Sequence, residues 1–368
     1  MRRAANRGSI KHYKYLGDNV KIKNGGAIIL GLAAACALTG CGPKEDASGT
    51  TSTSSGTSGT GSASTSASGA AGGTKKTFLI GMSQANKGEP WRQAMNDQIT
   101  AAAAKHPELK VVFADAAQNN SKQVADVENF LTQGMDLLII SPNEAAPLTD
   151  VVAKVFDKGI PVILLDRKVS GPKFTMHIGA DNVDIGKRAG QFAAQWCKAN
   201  NRTAPKVLEI RGLEGTSGTK ERGDGFRAGI AGSPLKIVAQ QNADWLREKA
   251  ISVSQTMFQA NPNPDVVYGH NDPMAEAAVI SGQSAGITSP KTLFIGVDGL
   301  PTPDGGLKSV AAGRLGVTYV YPTGGAQAID WAVKILEQKA KPPRDVVLPT
   351  EEVTKANALE IYKKYGGQ

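Results

Sequence analysis

The stretch TFLIGMSQANKGEPWRQAMNDQITAAAA, residues 77–104, contains an apolar run, a polar loop and an amphipathic segment in that order. The run from Phe78 to Met82 predicts a buried strand, and the spacing of apolar residues from Trp91 to Ala104 predicts a helix. A strand that leads into a helix is half of a β-α-β unit, so this stretch favours an α/β fold with a parallel sheet.

The same order repeats along the rest of the chain. Further strands are predicted at 110–114, 137–140, 162–165, 207–210, 237–240, 266–268, 293–297 and 316–320, with helices near 122–132, 147–156 and 325–338. About 290 residues follow residue 75, which is more than one core normally accommodates. We therefore predict two doubly wound parallel-sheet lobes, with a ligand at the carboxyl ends of the strands.

Polar and aromatic residues follow several of these strands. The first strand leads into SQANKGEPWR, residues 83–92, whose Trp91 is either a core residue or a stacking platform. Asp166 and Arg167 follow the fourth strand, where a surface ion pair is the alternative to a ligand site. Asn271 and Asp298 end two later strands, and each alone is more often a helix cap or a turn residue.

The glycine-containing loop GLEGTSGTKER, residues 212–222, opens another helix. It lacks the GxxxxGK[ST] spacing of a phosphate loop, and Gly223, Gly225 and Gly229 miss the GxGxxG pattern. We therefore expect no nucleotide and no other cofactor.

Six segments together resemble the periplasmic sugar-binding proteins of the ribose and galactose type, which feed ABC importers. They are DAAQNN (115–120), DR (166–167), GADN (179–182), GTS running to ERG (215–223), HNDPMA (270–275) and IGVDG (295–299). The likeness covers nearly all of residues 76–350. It implies two lobes joined by a three-strand hinge, an N-terminal lobe of residues 76–180 and 321–347, and a C-terminal lobe of residues 181–320 and 348–368.

The resemblance also implies site residues. Hydrogen bonds to sugar hydroxyls are expected from five of them: Asp166, Arg167, Arg222, Asn271 and Asp298. Aromatic stacking is expected from Trp91 and Trp245, although Trp245 also fits a packing residue at the start of a helix. A carboxylate can accept from two neighbouring hydroxyls and a guanidinium donates in a fixed plane, so these side chain types suit a polyol.

Two departures from the family pattern bear on the ligand. Trp91 and Arg92 stand where ribose-binding relatives have paired Phe residues, which resembles relatives that bind furanose forms, with Glu89 as an extra contact. The last hinge segment, residues 318–325, offers only hydroxyls and backbone where the family often supplies a Gln. The family mechanism is closure, in which a sugar between the lobes biases a hinge towards a closed form. Crossings between lobes are expected near 180–181, 320–321 and 347–350.

The N-terminus has the order of a secretory signal. Basic residues precede a 12-residue apolar run from Ala27 to Leu38, which is shorter than the roughly 20 residues of a membrane-spanning helix. The sequence Leu-Thr-Gly-Cys that ends at Cys41 resembles a lipobox. We expect a lipoprotein signal peptide at residues 1–40 and lipid attachment at Cys41. A tether over residues 41–75 follows, in which 48–74 are all Ser, Thr, Gly or Ala.

Charge and cysteine content are interpreted after removal of this leader. Residues 1–40 hold seven Lys and Arg and one Asp, which leaves 35 basic against 32 acidic residues, a net charge of +3. That balance gives no electrostatic reason to expect nucleic acid. Cys36 leaves with the leader and Cys41 is acylated, so Cys197 is expected to be a buried, unpaired thiol.

Three other classes of protein are alternatives to a component of an importer. A transcriptional repressor of the same fold needs a DNA-binding headpiece, whereas residues 1–75 are expected to be leader and tether. An enzyme is not expected, because His106, His177 and His270 lie outside GxSxG, HExxH and CxxC motifs, and no metal site is expected. A membrane-anchored sugar or autoinducer receptor that presents its ligand to a sensor remains the alternative. Otherwise the expected partners are a sugar, an ABC permease and its ATPase, and the protein itself is expected to be a monomer outside the cytoplasm.

Overall fold

The computed structural model describes residues 76–367. The predicted signal peptide, the lipid attachment at Cys41 and the tether lie outside the described residues. Within residues 76–367, every helix is too short or too polar to cross a membrane.

The described chain alternates strands and helices. Its strands are β1 (Phe78–Gln84), β2 (Leu109–Asp115), β3 (Leu137–Ile140), β4 (Val162–Leu165), β5 (Met176–Ala180), β6 (Lys206–Arg211), β7 (Lys236–Asn242), β8 (Val266–Gly269), β9 (Leu293–Ile295), β10 (Val317–Val320), β11 (Asp345–Leu348) and β12 (Glu351–Thr354). Its helices are α1 (Pro90–Ala103), α2 (Asn120–Thr132), α3 (Ala145–Asp157), α4 (Asn182–Ala199), α5 (Ser217–Ile230), α6 (Arg247–Ala260), α7 (Asp272–Ser284), α8 (Gly306–Ala311), α9 (Gly325–Leu336) and α10 (Ala358–Lys364). The prediction of an α/β fold is confirmed.

The strands form two six-stranded sheets, one in each lobe. The first has the order β11-β5-β4-β3-β1-β2 and the second β12-β10-β9-β8-β6-β7. The strand pairs are parallel, except that β12 runs antiparallel to β10. In each sheet the winding direction reverses beside the first strand, between β1 and β3 and between β6 and β8. Such a reversal opens a crevice at the carboxyl ends of the strands, where ligands bind in this class of fold.

The central strands are apolar throughout because helices cover both faces of each sheet. All four residues of β3 and all four of β4 are buried. Three short strands were not predicted, namely β5, β11 and β12. In β11, exposed Val347 and Asp345 interrupt the apolar run, so the sequence of this edge strand gives a weak signal.

The chain passes between the sheets three times. It leaves the first sheet after Ala180 at the end of β5, returns after Val320 at the end of β10, and leaves again between β11 and β12. These crossings agree with the three that were expected. They are the covalent connections between the lobes, and residues that follow them lie near the interface.

Helices α4 and α5 pack at unusually short distance because glycines face each other. A Cβ on Gly186 would lie 2.2 Å from the Arg222 carbonyl oxygen, and one on Gly225 would lie 2.2 Å from the Val183 carbonyl oxygen. Each glycine therefore admits the backbone of the other helix. Cys197 lies further along α4 and is buried, as expected, and burial raises the pKa of its thiol to about 11.

Candidate ligand site between the lobes

One cavity of about 330 Å³ lies where the carboxyl ends of the two sheets face each other. Eleven residues line it: Glu89, Trp91, Arg92, Asp166, Arg167, Gly218, Arg222, Trp245, Asn271, Asp298 and Tyr321. The structure thus brings together all nine residues that were predicted from the sequence. Gly218 and Tyr321 were not predicted as site residues.

Arg92 is the most heavily bonded of these side chains. It lies in the first turn of α1, which begins at Pro90, and only 2% of its surface is exposed. Its guanidinium donates to Gln84 Oε1 at 2.8 Å, to Ser141 Oγ at 2.9 Å and to Asp166 Oδ2 at 3.1 Å. Its Nε donates to Glu89 Oε1 at 3.2 Å. Burial alone would lower the pKa of Arg92, but the two carboxylates raise it, so the group is a fixed cation.

Asp166 is held as an anion although it is buried. Its two oxygens accept from Arg92 and, at 2.8 Å, from the Tyr321 hydroxyl. Burial raises the pKa of this carboxyl, but Arg92, Arg167 and Tyr321 together lower it below its ordinary value. Arg167 donates to the Asn143 carbonyl at 2.9 Å, and burial together with the nearby charge of Arg92 lowers its pKa to about 10. The predicted alternative of a surface ion pair does not apply, because Arg167 is buried and the Asp166 side chain is only 11% exposed.

The two tryptophans occupy opposite lobes. The Trp91 indole donates to the Tyr321 carbonyl at 2.8 Å, and its ring is tilted by 48° against the Tyr321 ring. Trp245 lies beneath the guanidinium groups of Arg167 and Arg222, at 5.5 and 5.3 Å from its ring. Each ring is 5% exposed and lines the cavity, so each has a packed side and a side that can cover a ligand.

Arg222 and Asn271 are fixed by the second lobe. Arg222 Nε donates to Asn182 Oδ1 at 2.8 Å, and its Nη1 donates to the His270 carbonyl. Asn271 caps α7 by accepting from Met274 N–H at 3.0 Å, and its amide donates to the Trp245 carbonyl at 3.1 Å. The helix-cap interpretation of Asn271 is therefore correct, and the same residue also lines the cavity.

Asp298 differs from Asp166 because the charge of Arg222 compensates its burial only in part. It is 5% exposed, and within residues 76–367 no group donates a hydrogen bond to its carboxylate. Burial, followed by the charge of nearby Asp272, raises the pKa of Asp298 well above its ordinary value. Asp272 itself accepts from Gly299 N–H at 2.7 Å and from the Thr318 hydroxyl at 2.6 Å. Asp298 is thus an acceptor that faces the cavity without a hydrogen-bond donor among the described residues.

Backbone strain is concentrated at the same place. Asp166, Trp245 and Asp298 have φ values of 70°, 71° and 134°, in the region that side chains other than glycine rarely adopt. Residues in such conformations are typically found at functional sites, where the surrounding structure enforces them. Three of the cavity residues share this feature.

The lobes also touch at the mouth of the cleft. The N–H of Ala145, the first residue of α3, donates to the Gly215 carbonyl at 3.0 Å. Lys168 donates through its backbone to Ser217 Oγ at 3.1 Å and through Nζ to Glu221 Oε1 at 3.0 Å. Because α3 has no side chain cap of its own, the second lobe satisfies one of its free N–H groups.

Sequence reasoning missed the residues that support the site. Tyr321 was noted only as a hydroxyl in the hinge, while Gln84, Ser141 and Asn182 were not singled out. Gln84, Ser141 and Tyr321 follow predicted strands, which is the signal that could have identified them, whereas Asn182 follows β5, which was not predicted. In the part of the chain that the structure describes, no group of three or more His, Cys, Asp or Glu side chains is arranged to hold a metal ion.

Comparison with known proteins agrees with this geometry. Residues 80–342 match the model of the periplasmic binding protein domain family. The chain is 33% identical over 283 residues to the ribose import binding protein RbsB of Escherichia coli (strain K12), covering 76% of this chain and 92% of that protein.

Two solved structures are also similar. The fructose-binding periplasmic domain of a hybrid two-component system superimposes with a TM-score of 0.74 at 37% identity, covering 78% of this chain and 94% of that one. A protein from Mycobacterium smegmatis in complex with β-D-fucofuranose gives a TM-score of 0.73 at 30% identity, covering 77% and 93%. These three relatives bind sugars, which supports the expectation that the chain is a binding protein and not an enzyme. The chain therefore belongs to the periplasmic binding protein domain family, as a type I periplasmic sugar-binding protein.

Proposed function

We propose that this chain is an extracytoplasmic lipoprotein that captures one monosaccharide in a furanose form between its lobes and delivers it to an ABC importer. The observation that carries the proposal is the cavity lined by polar and aromatic side chains from both lobes.

The proposed contacts match a polyol group by group. Asp298 accepts a hydrogen bond from a sugar hydroxyl and so gains the partner that it lacks in the protein. Arg167 and Arg222 donate to hydroxyl oxygens, and charge-assisted hydrogen bonds of this kind offset the cost of removing hydroxyls from water. Trp91 and Trp245 cover the C–H faces of the ring and exclude water.

The pair Trp91 and Arg92 supports a furanose. Hydrogen bonds to four side chains, among them Asp166, hold Arg92 in place, so its guanidinium is a rigid part of the cavity lining. The similar M. smegmatis protein was solved with a furanose sugar. Glu89, whose Oε1 accepts from Asn86 at 2.6 Å as well as from Arg92, is proposed as a further contact.

Closure couples binding to delivery. We propose that residues 76–180 with 321–347 and residues 181–320 with 348–368 move as two lobes about the three crossings. A ligand that touches both lobes favours the closed form, whereas a ligand that touches only one would shift nothing. Lipid on Cys41 would hold the protein at a membrane, near the permease and its ATPase, and more than one acyl chain is needed for stable anchoring. The protein is proposed to act as a monomer.

A receptor that presents its sugar to a membrane sensor is the second candidate. It is favoured by the similarity to the fructose-binding domain of a hybrid two-component system. Neighbouring genes distinguish the two: a permease and an ATPase support import, and a sensor kinase supports signalling.

A thermal-shift screen of the purified protein tests the ligand class. D-fructose, D-ribose, L-arabinose, D-galactose, D-fucose and myo-inositol are compared at equal concentration. We expect a raised Tm with at least one sugar that populates a furanose form. No shift with any of the sugars would overturn the proposal.

A further inference from the structure

A buried acid-imidazole pair lies behind the cavity, in the core of the second lobe. Glu209 in β6 and His270 after β8 are both 0% exposed, and Glu209 Oε1 lies 2.9 Å from His270 Nε2. Neither residue lines the cavity. Burying such groups is costly, and an apolar pair of the same size often gives equal or greater stability. A role beyond stability is therefore a reasonable expectation for this pair.

The hydrogen bonds define the charge state of the pair. Glu209 Oε2 accepts from Arg227 at 2.7 Å, and its pKa is lowered, because His270 and Arg227 outweigh the effect of burial. Burial lowers the pKa of His270 despite the nearby carboxylate. His270 Nδ1 accepts from Gly212 N–H at 3.5 Å, so its proton is assigned to Nε2, which donates to Glu209.

His270 connects this pair to the walls of the cavity. Its carbonyl accepts from Arg222, its ring lies 6.2 Å from the Trp245 ring, and Gly212 begins the loop that contains cavity residue Gly218. The next residue, Asn271, bonds the Trp245 carbonyl. A displaced imidazole would therefore shift the second lobe's ligand contacts together.

Two glycines leave room for this arrangement. A Cβ on Gly223 would lie 3.2 Å from Glu209 Oε1 and 2.9 Å from Arg227 Nη1. A Cβ on Gly212 would lie 2.1 Å from the Trp245 ring. A side chain at Gly212 would overlap the Trp245 ring, and one at Gly223 would force Arg227 and Glu209 to shift.

We propose that Glu209 and His270 are positioning residues for ligand binding: they hold Arg222, Trp245 and the 212–218 loop in the geometry that receives the sugar. The inference rests on the proposed function. The imidazole of His270 holds the loop through the hydrogen bond that its Nδ1 accepts from Gly212. Its own orientation is set by the hydrogen bond that Nε2 donates to Glu209. The carboxylate is in turn oriented by Arg227 from the edge of the lobe.

The test separates positioning from stability with the double variant Glu209→Leu/His270→Phe. This variant replaces both polar side chains with apolar ones of similar volume and removes both hydrogen bonds of the imidazole ring. We expect a Tm within a few degrees of the wild type, or higher, and an affinity for D-fructose about ten- to a hundredfold weaker, as for one misplaced charge-assisted hydrogen bond. D-ribose and L-arabinose are titrated in parallel by calorimetry.

Two further variants sharpen the comparison. Glu209→Gln keeps an oxygen acceptor for the imidazole, so its affinity should stay within about threefold of the wild type. Val267→Ala removes buried volume from β8 but no hydrogen bond of the pair, so it should lower the Tm and leave the affinity unchanged. If the double variant does not fold, the Tm and the affinity of the single variant His270→Phe are measured in its place.

The outcomes distinguish the two proposals. Wild-type affinity in the folded double variant, or in folded His270→Phe, would overturn the positioning role alone. Affinity that falls in Val267→Ala in proportion to its Tm would show that any loss of stability weakens binding, which also overturns it. A wild-type protein that gives no thermal shift with any of the six sugars of the screen would overturn the proposed function, and the inference with it.

Discussion

Substitution of Asp298 by Asn should raise stability and weaken sugar binding at the same time. The carboxylate is buried, has no hydrogen-bond donor within the described residues, and lies near Asp272. Burial and the charge of Asp272 raise the pKa of Asp298, so the folded protein disfavours its ionised form. An amide removes the charge with almost no change in shape, and a change of this kind alters stability by about 1–3 kcal/mol. We therefore expect the free energy of unfolding at pH 7 to rise by about 1–3 kcal/mol, or a Tm increase of roughly 2–6 °C.

The pH dependence of that gain follows from the raised pKa of Asp298. The folded wild type keeps this proton at pH values where the unfolded chain has lost it. Wild-type stability is therefore lost as pH rises from about 4 through the folded-state pKa. The gain of the Asn variant should be full above the folded-state pKa and should vanish below about pH 4.

The affinity of Asp298→Asn for the sugar should fall although its stability rises. A hydrogen bond from a sugar hydroxyl to a carboxylate contributes about 1.5–3 kcal/mol, so its loss should weaken affinity about ten- to a hundredfold. Asp298→Ala should abolish the sugar-induced thermal shift altogether.

Asp166→Asn is the matched control, because it makes the same chemical change at a carboxylate that has partners. Arg92 and Tyr321 donate to Asp166, so this variant leaves buried cations less well paired and should lose about 3 kcal/mol of stability. Thermal scans with and without sugar give both quantities. Equal destabilisation by the two substitutions, or an undiminished sugar shift in Asp298→Asn, would refute the reasoning.

Three further substitutions test other parts of the account. Lys168→Met removes the half-exposed ion pair to Glu221 between the lobes, and a pair of this kind contributes about 0.2–1 kcal/mol. Stopped-flow fluorescence should show that the sugar dissociates up to about fivefold faster. The difference from the wild type should fade in high salt, which screens the ion pair. Gly186→Ala places a methyl group 2.2 Å from a carbonyl oxygen of α5, so urea denaturation should report a loss of about 1–3 kcal/mol. Tyr321→Phe removes the donor to Asp166, so the free energy of unfolding should fall by about 1 kcal/mol at neutral pH, and by less in acid, where Asp166 takes up a proton.

Much of the fold could be predicted from the sequence because its central strands are buried on both faces. The runs at 137–140 and 162–165 are wholly apolar, and the structure has strands at those bounds. Strand β11 could not be found in the same way, because an edge strand is stabilised mainly by backbone pairing with β5. Its side chains therefore carry little pattern.

Residues of the candidate site could be predicted from the sequence where polar side chains directly follow strands. Asp166, Asn271 and Asp298 all stand at such ends. What the sequence could not give is the pairing among them, since Asp166 is compensated by Arg92 and Tyr321 while Asp298 is compensated only in part. Those partners are distant in sequence, and they meet only when residues 321–347 pack with residues 76–180 in the folded first lobe.

The most direct test of the central claim is a crystal structure of the protein grown with the sugar that gives the largest thermal shift. We expect one sugar ring between the lobes, covered by Trp91 and Trp245, with a hydroxyl within hydrogen-bond distance of the Asp298 carboxylate. A sugar bound on one lobe only, or outside this cavity, would contradict the account.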